Sequence, residues 1–184
     1  MSRRVIWAAT LTAIVLALAG GILAYRVTAP PGRVVMDMSW ARSYSSLKEL
    51  RQNSDVVAAG HFSRVVGTTV DDKGIPFTDF EFTVDTLIRS DDAALSSGGT
   101  VVVHQTGAEQ SGTVYESGDD PLFTVGENAV VFLHRYAQGH YYLIGGPSGR
   151  FGLDSKTGMV KRSADTGVSY SGRLSDFSKA VNNA

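Results

Sequence analysis

The chain of 184 residues contains no cysteine. That absence excludes disulfides, thiolate metal centres, a cysteine nucleophile and a lipid-modified N-terminal cysteine. A domain built this way is held by its core alone, which more than a hundred residues can supply. Metal-ligand spacing is missing as well. The four histidines, His61, His104, His134 and His140, never stand two or four residues apart, and no carboxylate completes a ligand pattern. No Gly-x-Ser-x-Gly elbow occurs, and Ser148 lies in an incomplete version, Gly146-Pro-Ser-Gly149. These absences leave no catalytic residue, cofactor or metal to be assigned.

One glycine-rich stretch invites a different reading. Ile144-Gly-Gly-Pro-Ser-Gly-Arg-Phe-Gly-Leu-Asp154 resembles a phosphate cradle in composition. A phosphate loop needs Lys-Ser/Thr at a helix start. Here Arg150-Phe-Gly-Leu-Asp154 continues as a strand pattern instead. The stretch is therefore a corner, with glycines supplying left-handed backbone and close approach.

Apolar residues are unevenly placed. Val5 to Tyr25 is a run of 21 residues without a charge, roughly 31 Å long as a helix and enough to cross a hydrocarbon core. Arg3 and Arg4 precede it, which orients the N-terminus to the cytoplasm. The run predicts a transmembrane anchor over 5–25, after a cytoplasmic stub of residues 1–4. Ala17-Leu-Ala19 also fits a cleavage pattern, so a removed signal and a secreted product stand as the alternative. Residues 26–44, with Pro30, Pro31 and Gly32, read as an extended linker. Residues 45–184 would then be an extracytoplasmic domain on a single-pass protein of the cytoplasmic membrane.

In that domain the pattern is that of strands. Ser46-Leu-Lys-Glu49 is a capping box opening a short helix. Asp55 to Val70 reads as a long strand, with Gly60 and Gly67 placed to kink it. From Phe77 to Ile88, Phe80, Phe82 and Val84 face one way while Glu81, Thr83 and Asp85 face the other. Leu87 breaks that parity, which predicts a bulge after Asp85. Thr100 to Thr106 is a third strand. Hairpins follow across Gln138-Gly139 and Ser155-Lys-Thr-Gly158. Leu174, Phe177 and Val181 predict a closing helix. The expected fold is mainly β: a small OB-like antiparallel barrel, preferred over a two-sheet sandwich, with short flanking helices and preceded by the transmembrane helix. Phe80, Phe82, Val84, Val101, Val103, Val130, Phe132 and Phe151 form the expected core.

Ser54-Asp-Val-Val57, Phe80-Glu-Phe-Thr-Val-Asp85, Gly126-Glu-Asn-Ala-Val-Val-Phe-Leu133 and Gly149-Arg-Phe-Gly-Leu-Asp154 resemble bacterial exported β domains. Those domains are remotely similar to the OB-type barrel of netrin-like modules and tissue inhibitors of metalloproteinases. The resemblance spans Ser46 to Lys161 and implies a barrel. The inhibitors reach their target's metal through an N-terminal cysteine, which this chain lacks, so no inhibitory mechanism is implied.

Charge is segregated along the chain. Asp71 to Glu127 holds 12 acids against Lys73 and Arg89, whereas Asn128 to Ala184 holds seven bases against three acids. The acidic balance argues against nucleic acid as a partner. The long stretch Gly107 to Asp120 carries Glu109, Tyr115, Glu116, Asp119 and Asp120, which are the candidate contact residues for a protein or cell-envelope partner. The expected function is a membrane-anchored interaction module without catalysis. An extracytoplasmic hydrolase acting on envelope material is the alternative class.

Overall fold

The computed structural model describes residues 32–38, 40, 42–162 and 167–184. Strand β1 (Gly32–Met36) precedes helix α1 (Leu47–Asn53). Ser46 Oγ caps α1 by accepting from the Glu49 N–H, and Glu49 reaches back to the Ser45 N–H at 2.8 Å. This is the capping box read from the sequence, with its return contact shifted by one residue. Asn53 ends the helix by donating to the Glu49 carbonyl.

Two 15-residue strands follow, β2 (Val56–Val70) and β3 (Pro76–Ser90), then β4 (Thr100–Thr106). The hairpin β5 (Ala108–Gln110) and β6 (Thr113–Ser117) comes next, and β6 also pairs with β1. Strands β7 (Asn128–Ala137) and β8 (His140–Leu143) form the predicted hairpin. A single 3-10 turn (Gly146–Gly149) leads to β9 (Arg150–Asp154), β10 (Met159–Arg162), β11 (Ser171–Arg173) and helix α2 (Leu174–Asn182).

Pairing closes a barrel. The order is β7-β2-β3-β4-β8, and β8 returns to β7. All contacts are antiparallel except β4 with β8, which is parallel. This closed five-stranded barrel is of the OB-like kind. Closure demands that long strands bend, and bulges let them do so. On β3, Asp85 is skipped, since Ala59 pairs with Thr86 and Gly60 with Val84. On β2, Ser63 and Val66 are skipped in the same way. The bulge at Asp85 is the one announced by the broken parity at Leu87. At Gly60 a Cβ would stand 1.9 Å from the Thr83 carbonyl oxygen, so that crossing is closed to any larger residue.

The barrel interior is filled by Phe62, Phe80, Phe82 and Phe123 with Val56, Val84, Val103 and Leu133. Phe62 stacks on Phe123 with centroids 4.0 Å apart. A second core lies on the other face of β2 and β7, where Val57, Ala59, Val130 and Phe132 meet Leu50, Phe151, Phe177 and Val181. Each of the eight predicted core residues is buried. Val130, Phe132 and Phe151 belong to the second core rather than the barrel.

The membrane assignment requires correction. Among the described residues no helix is long and apolar enough to cross a membrane, and the span expected over 5–25 lies outside the described residues. Over the described residues the fold is a β domain with a closed barrel and two short helices and has no transmembrane helix. Single-pass topology, the membrane as partner, the signal-anchor reading and location in the cytoplasmic membrane are dropped with it.

Phe82 is fully buried. Replacing it with alanine is expected to cost ~3–5 kcal/mol, because the closed barrel cannot collapse around the cavity. Urea unfolding of Phe82→Ala beside the parent checks this, and a loss below about 1 kcal/mol would contradict the packing described.

Candidate functional site

The glycine-rich corner positions the most distinctive concavity of the domain. β8 and β9 run along one edge of β7, Leu133 pairing with Leu143 and Val131 with Arg150. Residues 144–149 are an excursion between these two stretches. Gly145 and Gly146 have φ of +60° and +52°, so the corner is left-handed as the composition predicts. Its close approach is to two aromatic rings. A Cβ on Gly146 would stand 2.5 Å from the Trp40 indole, and one on Gly145 would stand 2.6 Å from the Tyr44 ring. The chain between β1 and α1 thus lies across the corner and raises a rim above the barrel wall.

Between that rim and the wall is a cleft of about 540 Å³. Trp40, Arg42 and Tyr44 come from the rim, His104 and Thr106 from β4, His134 from β7, and Tyr142 from β8. On the barrel side these are outward positions of the strands, alternating with the core residues Val103, Leu133 and Tyr141. A wider hollow of about 700 Å³ runs along the β9–β10 hairpin, but exposed Asp154, Thr157 and Lys161 line it, so it offers little shelter from water.

The polar groups of the cleft are held in place. Trp40 Nε1 donates to Asp119 Oδ2 at 2.8 Å, and the Ser117 hydroxyl donates to Oδ1 of the same carboxylate. Burial works against the Asp119 charge, but these hydrogen bonds hold its carboxyl below the usual range. Arg42 donates to Asn53 Oδ1 at 3.0 Å. His104 Nδ1 is 2.6 Å from Asp79, and His134 Nδ1 is 2.8 Å from Asp55. A carboxylate on Nδ1 fixes the orientation of each ring and leaves Nε2 for other partners. His104 also stacks on Phe77 with centroids 4.7 Å apart, and His134 meets Tyr142 edge-on at 5.1 Å.

Asp120 also lines the cleft, and it is unlike the others. Its side chain is only 4% exposed, and Oδ1 accepts no hydrogen bond. Arg150 Nη1 forms an ion pair with it at 3.6 Å, and also donates to the Pro121 carbonyl at 2.8 Å. The rest of the Arg150 guanidinium is committed to Glu127 through Nε and Nη2 and lies 4.6 Å from the Phe123 ring centroid. Burial pushes the Asp120 carboxyl up to about 6, against the opposing charge of Arg150.

The five sequence-predicted contact residues separate in space. Asp120 lines the cleft, and Asp119 supports its rim by accepting from Trp40. Glu116 is buried, accepts from the Leu122 N–H at 2.9 Å and pairs with Arg33 at 2.6 Å. Tyr115 is half-buried and Glu109 is exposed, on paired strands β6 and β5. The stretch Gly107 to Asp120 is therefore largely a hairpin rather than a single loop. Trp40, Arg42, Tyr44, His104, His134 and Tyr142 were not singled out as a group. One signal was available for part of it: outward parity in the β7–β8 hairpin falls on His134, Tyr136 and Tyr142, an aromatic surface without a core to fill.

Among the described residues, no group of three or more His, Cys, Asp or Glu side chains is arranged to hold a metal. The chain matches no known protein family, and no curated protein is significantly similar to it. The likeness to OB-type modules is thus a likeness of barrel architecture. Nothing supports the narrower netrin-like or metalloproteinase-inhibitor assignment.

Asp120 gives a pH-dependent expectation. Its folded pKa is raised, so its contribution to stability is fully present below the unfolded value and is lost as pH rises through about 6. Asp120→Asn removes this titration. Relative to the parent, the variant should gain on the order of 3 kcal/mol in stability between pH 4 and pH 7. Urea melts of both proteins at the two pH values measure the difference, and a difference independent of pH would contradict the burial described.

Proposed function

We propose that the domain is a non-catalytic binding module whose ligand site is the cleft between the Trp40–Tyr44 rim and the outer wall of β4, β7 and β8. The observation that carries this reading is the state of the cleft's polar groups. Trp40, Arg42, His104 and His134 each have a protein partner that fixes them before any ligand arrives. Preorganisation of this kind lowers the ordering cost of binding. The size of the cleft lies within the range usual for small-ligand sites.

Turnover would ask for something further. A hydrolase needs a nucleophile within hydrogen-bond reach of a base. Among the described residues, no serine or threonine hydroxyl is hydrogen-bonded to a histidine; the ring contacts of His61, His104 and His140 go to Asp85, Asp79 and the Gln138 carbonyl. The hydrolase alternative therefore has no support in the cleft. The netrin-like resemblance lends the barrel and no residue of the site. Of the acidic stretch first singled out, Asp119 and Asp120 enter this proposal, as a support for Trp40 and as part of the cleft.

The test is a fragment screen by protein NMR on the full chain, using a library of small ring-bearing compounds. Hits are expected to shift the Trp40 indole signal together with the amides of Tyr142 and Gly146. Trp40→Ala should weaken such hits by tenfold or more, about 1.4 kcal/mol. Gly146→Ala should weaken them too, because its methyl group displaces the indole. Hits that map consistently to another surface, or that ignore both substitutions, would refute the assignment.

A further inference from the structure

We infer that the ligand of this cleft is an organic cation, an ammonium or guanidinium group held over the aromatic floor between His104 and His134. The inference rests on the reading of the cleft as a binding site and adds the chemistry of what fills it. Strand register supplies the first argument. Asp79 pairs with His104, His104 with Tyr142 and Tyr142 with His134, and Asp55 stands against the His134 ring at 2.8 Å. One row of outward side chains therefore runs carboxylate, imidazole, phenol, imidazole, carboxylate across the barrel wall. Adjacent strands are ~4.8 Å apart, so the two imidazoles flank Tyr142 at a separation of roughly 10 Å. Each aspartate takes Nδ1 of its histidine. When Nδ1 donates its proton there, Nε2 across the ring is an acceptor. Among the described residues it has no hydrogen-bond partner on either histidine.

Charge and rings narrow the class. Arg42 is the only permanent cation among the described residues lining the cleft, and it is exposed on the rim with an N–H on Asn53. Against it stand Asp119 behind Trp40 and the aspartates behind the two histidines. Asp120 is sealed against Arg150 and is not asked to touch the ligand. With both imidazoles neutral, three carboxylates face one guanidinium. With both protonated, each imidazolium is cancelled by its own aspartate, and Asp119 offsets Arg42. In neither state is the cleft positive, so an anion finds no net attraction. The rings act in the same direction. Trp40, Tyr44 and Tyr142 carry negative potential on their π faces, which attracts a cation. Tyr142 is exposed at the floor, and a cation over it that carries N–H groups can donate to Nε2 of a flanking histidine. A neutral ligand gains nothing from the charge.

The experiment titrates the isotope-labelled full chain with three ring compounds of similar size, benzylammonium, benzyl alcohol and benzoate, and separately with the blocked amides of lysine and arginine. Benzylammonium is expected to shift the Trp40 indole and the Tyr142 and Gly146 amides saturably, with a dissociation constant about tenfold or more below that of benzyl alcohol. Benzoate should bind more weakly than either. Asp79→Asn removes a charge behind His104 and should weaken benzylammonium several-fold while leaving benzyl alcohol unchanged. Arg42→Ala, at an exposed position, should tighten benzylammonium, a response that a purely apolar site would not give. Tighter binding of blocked lysine or arginine than of benzylammonium assigns the cation to a polypeptide side chain, and the reverse assigns it to a free amine; either supports the class. If benzyl alcohol or benzoate matches benzylammonium, or if both substitutions leave its affinity unchanged, the cation inference falls and the binding site stands. If none of the three ring compounds moves the cleft signals, the cation inference falls, and the site falls with it only where ring-bearing fragments map to another surface.

Discussion

The ladder between β2 and β7 is the constraint on which the rest depends. Val56 to His61 pair with Leu133 to Asn128, and Val56–Ala59 and Ala129–Leu133 within them are apolar and buried on both faces. One face closes the barrel and the other carries the second core with α1 and α2. A strand buried on both sides cannot slip by one residue without exchanging its two sets of side chains. The register of this one ladder therefore fixes where Phe62 and Leu133 point inward, and where Val57 and Phe132 point outward. It also fixes the edge of β7 along which β8 and β9 must run. From that edge the position of the glycine corner follows, and with it the cleft.

Arg150 ties the second part of the molecule to the first. It is buried at the start of β9, yet its partners lie in the segment that links β6 to β7: the Pro121 carbonyl, Glu127 and the Phe123 ring. A buried guanidinium is tolerable when its charge and donors find partners, and here Glu127 and the Pro121 carbonyl take four N–H groups, Asp120 stands 3.6 Å from Nη1 and an aromatic face lies alongside. The same guanidinium also forms a buried ion pair with Asp120, so its charge is shared between Asp120 and Glu127. The buried carboxyl beside the cleft is thus held by the same residue that anchors the linking segment.

Most of the strands were legible because their chemistry is local. Alternation over Phe80 to Asp85 gave the facing of β3, and the broken parity at Leu87 gave its bulge. Ser46 and Glu49 gave the start of α1, and Leu174, Phe177 and Val181 gave α2. The hairpin β5–β6 was hidden because its three-residue and five-residue strands are polar and hold Gly112 at their turn; their signal is pairing with β1, which no local pattern records. The apolar pattern of Val56-Val-Ala-Ala59 announced burial but not that two separate cores claimed its two faces. The membrane anchor was argued from a run of residues that the described structure does not include, and no described helix has the length or the hydrophobicity to replace it. The cleft was illegible for a different reason. Its residues come from Trp40 to Tyr142 along the chain, and histidines that looked scattered share a site only after the barrel closes.

A filled barrel also decides where binding can occur. With Phe62, Phe80, Phe82 and Phe123 packed through its interior, the barrel has no room for a ligand inside, and a closed barrel is convex outside. A concave site on a convex wall needs a second element standing away from it. Here the rim bearing Trp40, Arg42 and Tyr44 supplies that element, and it can sit so close to the wall because Gly145 and Gly146 carry no side chains. The stretch that resembles a phosphate loop in composition therefore contributes nothing by its own hydrogen-bonding groups. Its part is to be small and left-handed, so that an indole and a phenol can rest on it and face the histidines across the cleft.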